Sequence, residues 1–474
     1  MSVQKLESNQ LPTVEATEDD LATQRYFLDR LLQPLNKWDG FQKIEQFGLS
    51  AYRYELNFSQ YALAMWQYTR TPAFTGYLAE AQRNAIQKMT ARRVWSYWAT
   101  ERLVGYGRWN PDPVSFHNIM YSAYFAMMIG LYETLNEDHR FSEPGALRLK
   151  WNHQTSYSHN YDSLVAALVD NMSQKSKYPQ YPCEPHLVYP VCNTFALNAM
   201  LMHDRLHGTD TCSNFLDRVR TSYHRDGWRR KDGRFNSIGT RSGRKLAGPM
   251  LFSDGSIAML LNPTMPDIAA DTWQALRERG VVQIKDGEVR LKRSVFDLMD
   301  AGNYNLYRGD GQARAGLIMG AREQGDDEAV AALDRSITAR HPVTWSNGAR
   351  KISGMSPWSY GSYAVGMWAR QNAMRDLMSG NIPQAWRTGP QLAEVAYPEV
   401  LVARAVSDGA GLDLVLRAGN GPCRTTLGIA RLAPNQAYRV EGAVTDEIKA
   451  SKTGTALLQV DLADRTEVRL TPVA

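Results

Sequence analysis

The segment from Cys183 to Cys192 carries the side chains with the greatest capacity for chemistry in this sequence. It reads Cys-Glu-Pro-His-Leu-Val-Tyr-Pro-Val-Cys and lies between two apolar segments. The two thiols, the Glu184 carboxyl and the His186 imidazole can all donate or accept protons. Prolines in and beside the segment fix the backbone φ angle, so we expect a stiff loop that holds these groups in place.

The spacing of the two cysteines also fits a disulfide, a zinc site or a buried pair without a function. The chain has only four cysteines in 474 residues, and Cys212 and Cys423 are isolated, unlike a secreted disulfide framework. A zinc site would need more ligands than the nearby His186 supplies. A buried pair is ordinary, because free cysteine is among the most buried residue types. The absence of a disulfide framework favours two reduced thiols, while the spacing alone leaves open whether they have a function.

The composition excludes several classes of partner. A formal charge of +5 with basic residues spread along the chain gives no footprint for nucleic acid. No apolar run reaches the length of about 18 residues that a membrane span requires, and the first thirty residues lack the features of a signal peptide. We therefore expect a cytoplasmic protein. A homo-oligomer is compatible with the sequence. The 23 Tyr, 12 Trp, 13 Phe and 18 Met fit either an apolar ligand cavity or simply a large core.

Helical patterns dominate from residue 18 to about 380. Thr17 precedes acidic residues in a capped helix start, and segment 118–133 is apolar on nearly every face, which is typical of a helix buried all round. Boundaries between helices coincide with Gly, Pro and Asn. The twelve predicted helices cover about 18–32, 51–69, 75–98, 118–133, 159–175, 193–206, 212–224, 249–261, 265–279, 311–323, 326–339 and 357–379.

Twelve helices in six hairpins predict a mainly α fold, an (α/α)6 toroid or barrel whose inner ring encloses a central pocket. Segments 51–69, 118–133 and 193–206 are expected to reach that pocket. A helical solenoid is the alternative, but no repeat at a fixed period of 20–50 residues is present. From about residue 395 apolar and polar residues alternate, which predicts a small antiparallel β-sandwich with a packing role. The predicted domains are 1–390 and 395–474.

Phosphate chemistry has little support in the sequence. The basic segment 225–245 could clamp a phosphate, although a solvated loop is the more ordinary interpretation. No DDxxD or DxDD motif, P-loop or GxGxxG turn accompanies it. We therefore expect no nucleotide or other cofactor and no metal in the reaction.

Several strings, taken in order, resemble the linalool dehydratase/isomerase family. They include Asn-Ile-Met-Tyr at 118–121, Cys-Glu-Pro at 183–185 and Asp-Arg-Leu-His-Gly-Thr-Asp at 204–210, and the resemblance covers roughly residues 20–270. It implies an (α/α)6 barrel that uses no metal or organic cofactor. It also implies acid/base dehydration and isomerisation of small isoprenoid alcohols in an apolar central cavity.

The resemblance also implies roles for individual residues. Tyr124 stands where the family has a catalytic histidine, and aromatic residues that wall the family's pocket are replaced near 249–261. Both changes indicate a divergent member with a larger or different substrate. The catalytic candidates are Asp29, Tyr54, Tyr124, Cys183, Glu184 and Cys192. The candidate substrate contacts are Met120, His186, Tyr189, Leu251 and Asp254.

These observations favour a cofactor-independent lyase, isomerase or cyclase that acts on a small hydrophobic, isoprenoid-like substrate. Glu184 or Asp29 would supply a proton, and a thiolate or carboxylate would remove one from the resulting cation. A tyrosine with a reference pKa of about 10 donates a hydrogen bond where a histidine would shuttle protons. Two alternatives stay open. One is a carbohydrate-active toroid with paired carboxylates, and the other is a non-catalytic binding protein for a hydrophobic ligand.

Overall fold

The structure is a computed structural model that describes residues 13–46, 49–50, 52–175, 177–299 and 310–473. In chain order its α-helices are α1 Glu18–Leu31, α2 Tyr52–Thr69, α3 Gly76–Met89, α4 Arg92–Trp95, α5 Tyr97–Tyr106, α6 Ile119–Asn136, α7 Tyr161–Ser173, α8 Pro190–His207, α9 Ser213–Arg225, α10 Leu251–Leu260, α11 Pro266–Glu278, α12 Gly311–Gln324, α13 Asp327–Arg340, α14 Pro357–Trp368, α15 Ala373–Met378 and α16 Gln384–Thr388. Its strands are β1 Ile44–Gln46, β2 Leu49–Ser50, β3 Leu147–Lys150, β4 Ser156–His159, β5 Leu187–Val188, β6 Ile238–Thr240, β7 Lys245–Ala247, β8 Val282–Lys285, β9 Glu288–Leu291, β10 Val343–Ser346, β11 Ala349–Ile352, β12 Gln391–Glu394, β13 Val400–Ser407, β14 Leu412–Ala418, β15 Cys423–Ala430, β16 Ala437–Glu441, β17 Glu447–Lys449, β18 Ala456–Leu462 and β19 Thr466–Pro472.

Six of these helices form a closed inner ring. Each of α2, α6, α8, α10, α12 and α14 packs against the next, and α14 returns to pack against α2. The helices α1, α3, α7, α9, α11 and α13 pack outside them. The predicted (α/α)6 toroid is therefore confirmed, and the segments 51–69, 118–133 and 193–206 correspond to the inner helices α2, α6 and α8.

The composition of each helix matches its ring. Helix α6 is buried from Ile119 to Thr134, as its apolar sequence on every face predicts. Helix α9 in the outer ring buries only one stripe and exposes the rest. Between α10 and α12 the backbones touch, because a Cβ added at Gly255 would lie 2.5 Å from the Gly316 carbonyl oxygen. Glycine is required at that contact.

Two predicted helices are interrupted. The segment 75–98 breaks after Met89, where α3 ends, and continues as the short helices α4 and α5. The segment 357–379 breaks at Ala369, whose extended backbone (φ −70°, ψ 169°) ends α14 before α15 begins. Neither break contains glycine or proline, so the residues that most often mark helix ends did not reveal them.

Short antiparallel strands between the helices were not predicted. The pairs β8–β9 and β10–β11 are hairpins whose two-residue turns are Asp286-Gly287 and Asn347-Gly348, all four with positive φ. Asp-Gly and Asn-Gly are the strongest short-range hairpin signals, so the sequence did contain this information. All named strands described before residue 380 pair antiparallel.

The C-terminal region contains two antiparallel sheets, ordered β12-β15-β18 and β13-β14-β19-β16-β17. This confirms the predicted sandwich, which begins at Gln391. Backbone hydrogen bonds join it to the toroid, including Leu392 N–H to Ala73 O at 2.9 Å and Ala16 N–H to Ala403 O at 3.0 Å. The division into two domains near residue 390 stays a prediction. Among the described helices, none is both long and apolar enough to cross a membrane.

Candidate active site

The loop that begins at Cys183 is a compact turn leading into the inner helix α8. The Cys183 N–H donates to Leu187 O at 2.9 Å, and the Leu187 N–H donates to Glu184 O at 3.1 Å. Pro190 occupies the first turn of α8, where its missing N–H costs no hydrogen bond. Cys183 and Cys192 are both buried free thiols, so the expectation of reduced cysteines is confirmed.

Three inner helices bring four of the candidate residues together. The Tyr54 hydroxyl on α2 donates to Met120 Sδ on α6 at 2.5 Å, and the Tyr124 hydroxyl on α6 donates to Cys192 Sγ on α8 at 3.5 Å. The rings of Tyr54 and Tyr124 lie 6.5 Å apart. Burial raises the pKa of both tyrosines well above 10. Both hydroxyls are therefore protonated, and both donate their hydrogen bond to sulfur, a weak acceptor.

Other aromatic rings pack against these two tyrosines. Trp358 on α14 stacks on Tyr54 at 4.5 Å with an interplanar angle of 9°, and Phe195 on α8 stacks on Tyr124 at 3.7 Å and 15°. Phe252 on α10 meets Trp358 edge-on at 5.4 Å. Sequence reasoning missed Trp358, Phe195 and Phe252, because aromatic residues are too common in this chain for any one to stand out.

A buried cation lies beside the loop. The Arg53 side chain is fully buried, and its guanidinium lies 4.4 Å from the centre of the Tyr54 ring and 4.2 Å from that of Tyr97. Burial opposes its charge, but the nearby tyrosines and the carboxyls of Glu101 and Glu184 raise its pKa. Arg53 therefore stays charged at any ordinary pH.

Two carboxyls near Arg53 hold protons more strongly than usual. Burial raises the pKa of Glu101 to about 7, although Arg53 opposes the shift. Burial also raises the pKa of Glu184, against its own backbone N–H, the Arg53 charge and the Tyr189 hydroxyl. Oε2 of each carboxyl is buried and has no hydrogen-bond partner among the described residues. Glu101 can thus serve as a proton donor near neutral pH, and Glu184 keeps its proton to a higher pH than an ordinary carboxyl does.

The Cys183 thiol and the Tyr189 hydroxyl also hold their protons more strongly than usual. Burial, and then the neighbouring Cys192 thiol, raise the pKa of Cys183 well above 9. Burial and then the Glu184 charge raise the pKa of Tyr189. Cys183 thus presents a neutral thiol, and a thiolate base at this residue is disfavoured.

Asp29 does not belong to this group, and its predicted place in the cavity is wrong. It is exposed on α1, an outer helix, and its carboxylate accepts a hydrogen bond from the Tyr397 hydroxyl. The buried side of α1 is formed by neighbours such as Phe27 and Leu28. One step along a helix turns a side chain by about 100°, which is enough to move a carboxylate from the interior to the surface.

His186 is also turned away from the thiols. It is exposed and has a φ of 68°, and its Nε2 lies 2.8 Å from Gly105 O. Its backbone N–H donates to the Tyr106 hydroxyl at 3.0 Å. His186 therefore anchors the loop to the end of α5, and the prediction that it contacts substrate is not supported.

Asp254 forms part of a buried ion pair. Its carboxylate accepts from Arg234 Nε at 2.7 Å and from the Phe235 N–H at 2.9 Å, and burial raises its pKa to about 6. The basic segment that contains Arg234 also pairs Arg229 with Asp271 at 2.8 Å, as expected for a structured surface loop. Asp254 therefore has a structural role, which contradicts its prediction as a substrate contact.

Leu251 is fully buried at the start of α10, one residue before Phe252. Its backbone N–H donates to Asp297 Oδ1 at 2.6 Å, which fixes the first turn of the helix. Its contact with substrate stays a prediction, as do the catalytic roles of Tyr54, Tyr124 and Glu184.

The fold is an (α/α)6 toroid, and tyrosine hydroxyls, thiols and partly buried carboxyls lie together at one end of its inner ring. The chain belongs to the linalool dehydratase/isomerase family, whose model matches residues 53–358, more than half of the sequence. The resemblance inferred from the sequence is thereby confirmed.

Solved structures show a more remote similarity. The chain is 10% identical to cellobiose 2-epimerase from Bacillus thermoamylovorans B4167, over 74% of this chain and 98% of that one, with a TM-score of 0.42. It is 10% identical to unsaturated glucuronyl hydrolase from Streptococcus agalactiae, over 78% of this chain and 98% of that one, with a TM-score of 0.40. Similarities this low support no argument about substrate or reaction.

Proposed function

We propose that this protein is a cofactor-independent acid/base enzyme that dehydrates, isomerises or cyclises a small apolar, isoprenoid-like alcohol. The observation that carries the proposal is a pair of tyrosine hydroxyls that donate to sulfur, on rings packed against other aromatic rings and beside a protonatable carboxyl. Membership of the linalool dehydratase/isomerase family supports the reaction type.

Binding of the alcohol would begin with the two tyrosines. Tyr54 donates to Met120 Sδ and Tyr124 to Cys192 Sγ. An alcohol oxygen is a better acceptor than either sulfur, so both hydroxyls would turn to it. Because Tyr124 replaces the family's histidine, it would position the oxygen without taking up a proton.

Glu184 would supply and recover the proton. Its carboxyl protonates the substrate hydroxyl, the C–O bond breaks, and water leaves with both electrons of that bond. The carboxylate then removes a proton from a carbon next to the cation, which forms the alkene and restores the acid. Arg53 stabilises the transient carboxylate, and the raised pKa of Glu184 suits an acid that must hold its proton near neutral pH.

The aromatic rings would stabilise the cation between these two steps. The faces of Trp358 and Phe195 carry the negative part of the ring quadrupole, which attracts positive charge. If water re-adds at another carbon and gives a proton to the Glu184 carboxylate, the result is an isomerised alcohol. If an internal double bond attacks the cation, a ring forms, and the new cation then loses a proton to the same carboxylate.

The experiment that tests the proposal is incubation of the purified chain with allylic and tertiary terpene alcohols, epoxides, polyenes and glycosides, followed by mass spectrometry. We expect loss of water from, or rearrangement of, at least one apolar alcohol, with heat-inactivated protein as the control. Turnover of glycosides alone would support the carbohydrate-active alternative. Stoichiometric binding of a terpene without conversion would support the binding-protein alternative.

A further inference from the structure

A second cluster of ionisable side chains lies at the far end of the inner ring. Glu133 in the last turns of α6 is buried, with 1% of its surface exposed. Its Oε2 lies 2.9 Å from His139 Nδ1 and 3.0 Å from His207 Nε2, and these three atoms all lie within 4.8 Å of one another. We propose that Glu133, His139 and His207 bind one divalent transition-metal ion, with zinc as the best match.

The distances suit a tetrahedral ion. Zinc binds imidazole nitrogen and carboxylate oxygen at about 2.0–2.2 Å, which places neighbouring ligand atoms about 3.3 Å apart. The two oxygen–nitrogen distances from Glu133 are a few tenths of an ångström shorter, so small rotations of the imidazoles would admit the ion. Two imidazoles with one carboxylate favour zinc over magnesium or calcium, which prefer sets of oxygen ligands.

Neighbouring side chains hold two of the ligands in position. Ser142 Oγ donates to Glu133 Oε1 at 2.6 Å, which leaves Oε2 to face the two imidazoles. The ring of His207, at the end of α8, stacks on His203 at 4.7 Å, and His203 Nε2 in turn lies 2.9 Å from Asp162 Oδ1. Hydrogen-bonded support of this kind around the ligands is usual in protein metal sites.

His139, the third ligand, connects the proposed metal site to solvent. The His139 side chain is 51% exposed, in the loop that follows α6, whereas that of Glu133 is fully buried. An ion can therefore enter from solvent beside His139, and water can occupy the fourth position. Without a metal, the two imidazoles would each donate an N–H hydrogen bond to the same carboxylate oxygen. Measuring zinc binding distinguishes this hydrogen-bonded cluster from a metal site.

The position of the site indicates a structural role. Glu133 lies nine residues after Tyr124 on α6, about 13 Å further along the helix. The ion would thus lie away from Glu184 and would fasten the loop after α6 to the end of α8. It would take no part in the proposed reaction, which remains independent of cofactors.

Metal binding by the untagged full chain tests this inference. We would strip the protein with EDTA, dialyse it, and titrate Zn²⁺ in competition with a chromogenic chelator while following thermal melting. The wild type should bind one equivalent and melt at a higher temperature with zinc. His139→Ala should lower the zinc affinity by more than ~100-fold, beyond the loss usual for a supporting residue, and should fold normally because His139 is half-exposed.

Two controls make the result specific. His153→Ala removes an exposed imidazole elsewhere and should bind zinc as the wild type does. A variant with Cys183→Ala and Cys192→Ala tests whether the buried thiols hold the zinc instead, and it should keep the full equivalent. The inference is overturned if the wild type binds no stoichiometric zinc, if His139→Ala binds it as tightly, or if the thiol variant loses it.

Discussion

Replacing Glu184 by glutamine tests the proposed proton transfer most directly. The amide keeps the size of the side chain and an oxygen that can accept from Tyr189, but it has no transferable proton. Loss of a general acid lowers turnover by roughly 10²–10⁴-fold. At 1.36 kcal/mol per tenfold change, this raises the activation barrier by about 2.7–5.4 kcal/mol.

The effect on folding should be much smaller. Oε2 of Glu184 has no hydrogen-bond partner among the described residues, so the amide breaks no bond at that atom. The weakened interaction with Arg53 should cost about 1 kcal/mol, the scale of one net hydrogen bond. A loss of turnover of the expected size therefore cannot be explained by unfolding.

The assay follows turnover of the alcohol that the wild type converts best, from pH 4 to 9, with thermal melting in parallel. The protonated carboxyl is present below the raised pKa of Glu184 and is lost above it, so wild-type activity should decline with rising pH. The residual activity of Glu184→Gln should lack that decline. Glu143→Gln, an exposed carboxyl, is the matched control. Wild-type turnover in Glu184→Gln with unchanged melting would refute the mechanism.

Three further predictions concern Tyr124, the reactivity of Cys183 and Cys192, and the ion pair between Asp254 and Arg234. Tyr124→Phe keeps the ring that stacks on Phe195, so it should lower turnover with little change in the melting temperature. Tyr124→His should alter the ratio of products measured by mass spectrometry. An unchanged product ratio would contradict the positioning role of Tyr124. Cys183 and Cys192 should react with iodoacetamide at pH 7 at least ~10-fold more slowly in the folded than in the unfolded chain, because they are buried and the pKa of Cys183 is raised; equal rates would contradict this. Asp254→Asn leaves Arg234 buried without its ion-pair partner and should lower the free energy of unfolding in urea by about 3–5 kcal/mol; a loss below about 1 kcal/mol would show that the pair is not structural.

The helices of this protein were predictable because their signals are local. Apolar residues at helical spacing identify both α9, with one buried stripe, and α6, which is buried on all sides. The Asp-Gly and Asn-Gly turns at 286–287 and 347–348 carry an equally local signal for hairpins. The breaks after Met89 and at Ala369 had no such signal, because neither contains glycine or proline.

The candidate site was only partly predictable. Motifs pointed to Cys183, Glu184 and Cys192, which adjoin one another in the chain or lie within one loop. Arg53 and Glu101 came to light only in the structure, where Arg53 lowers the pKa of Glu184 and Glu184 raises the pKa of Glu101 across long separations in sequence. No pattern around either residue distinguishes it from the many other charged residues on helices.

The sequence by itself determined the class of fold, the family and the chemical groups at the start of α8. Tertiary structure alone decided which of those groups share one environment. It turned Asp29 and His186 to the surface, bound Asp254 to Arg234, and enclosed Arg53 with two carboxyls. The physical reason is that helix periodicity depends on neighbours in the chain, whereas the rotation of each helix is set by packing against helices far away in sequence, and that rotation decides where a side chain points.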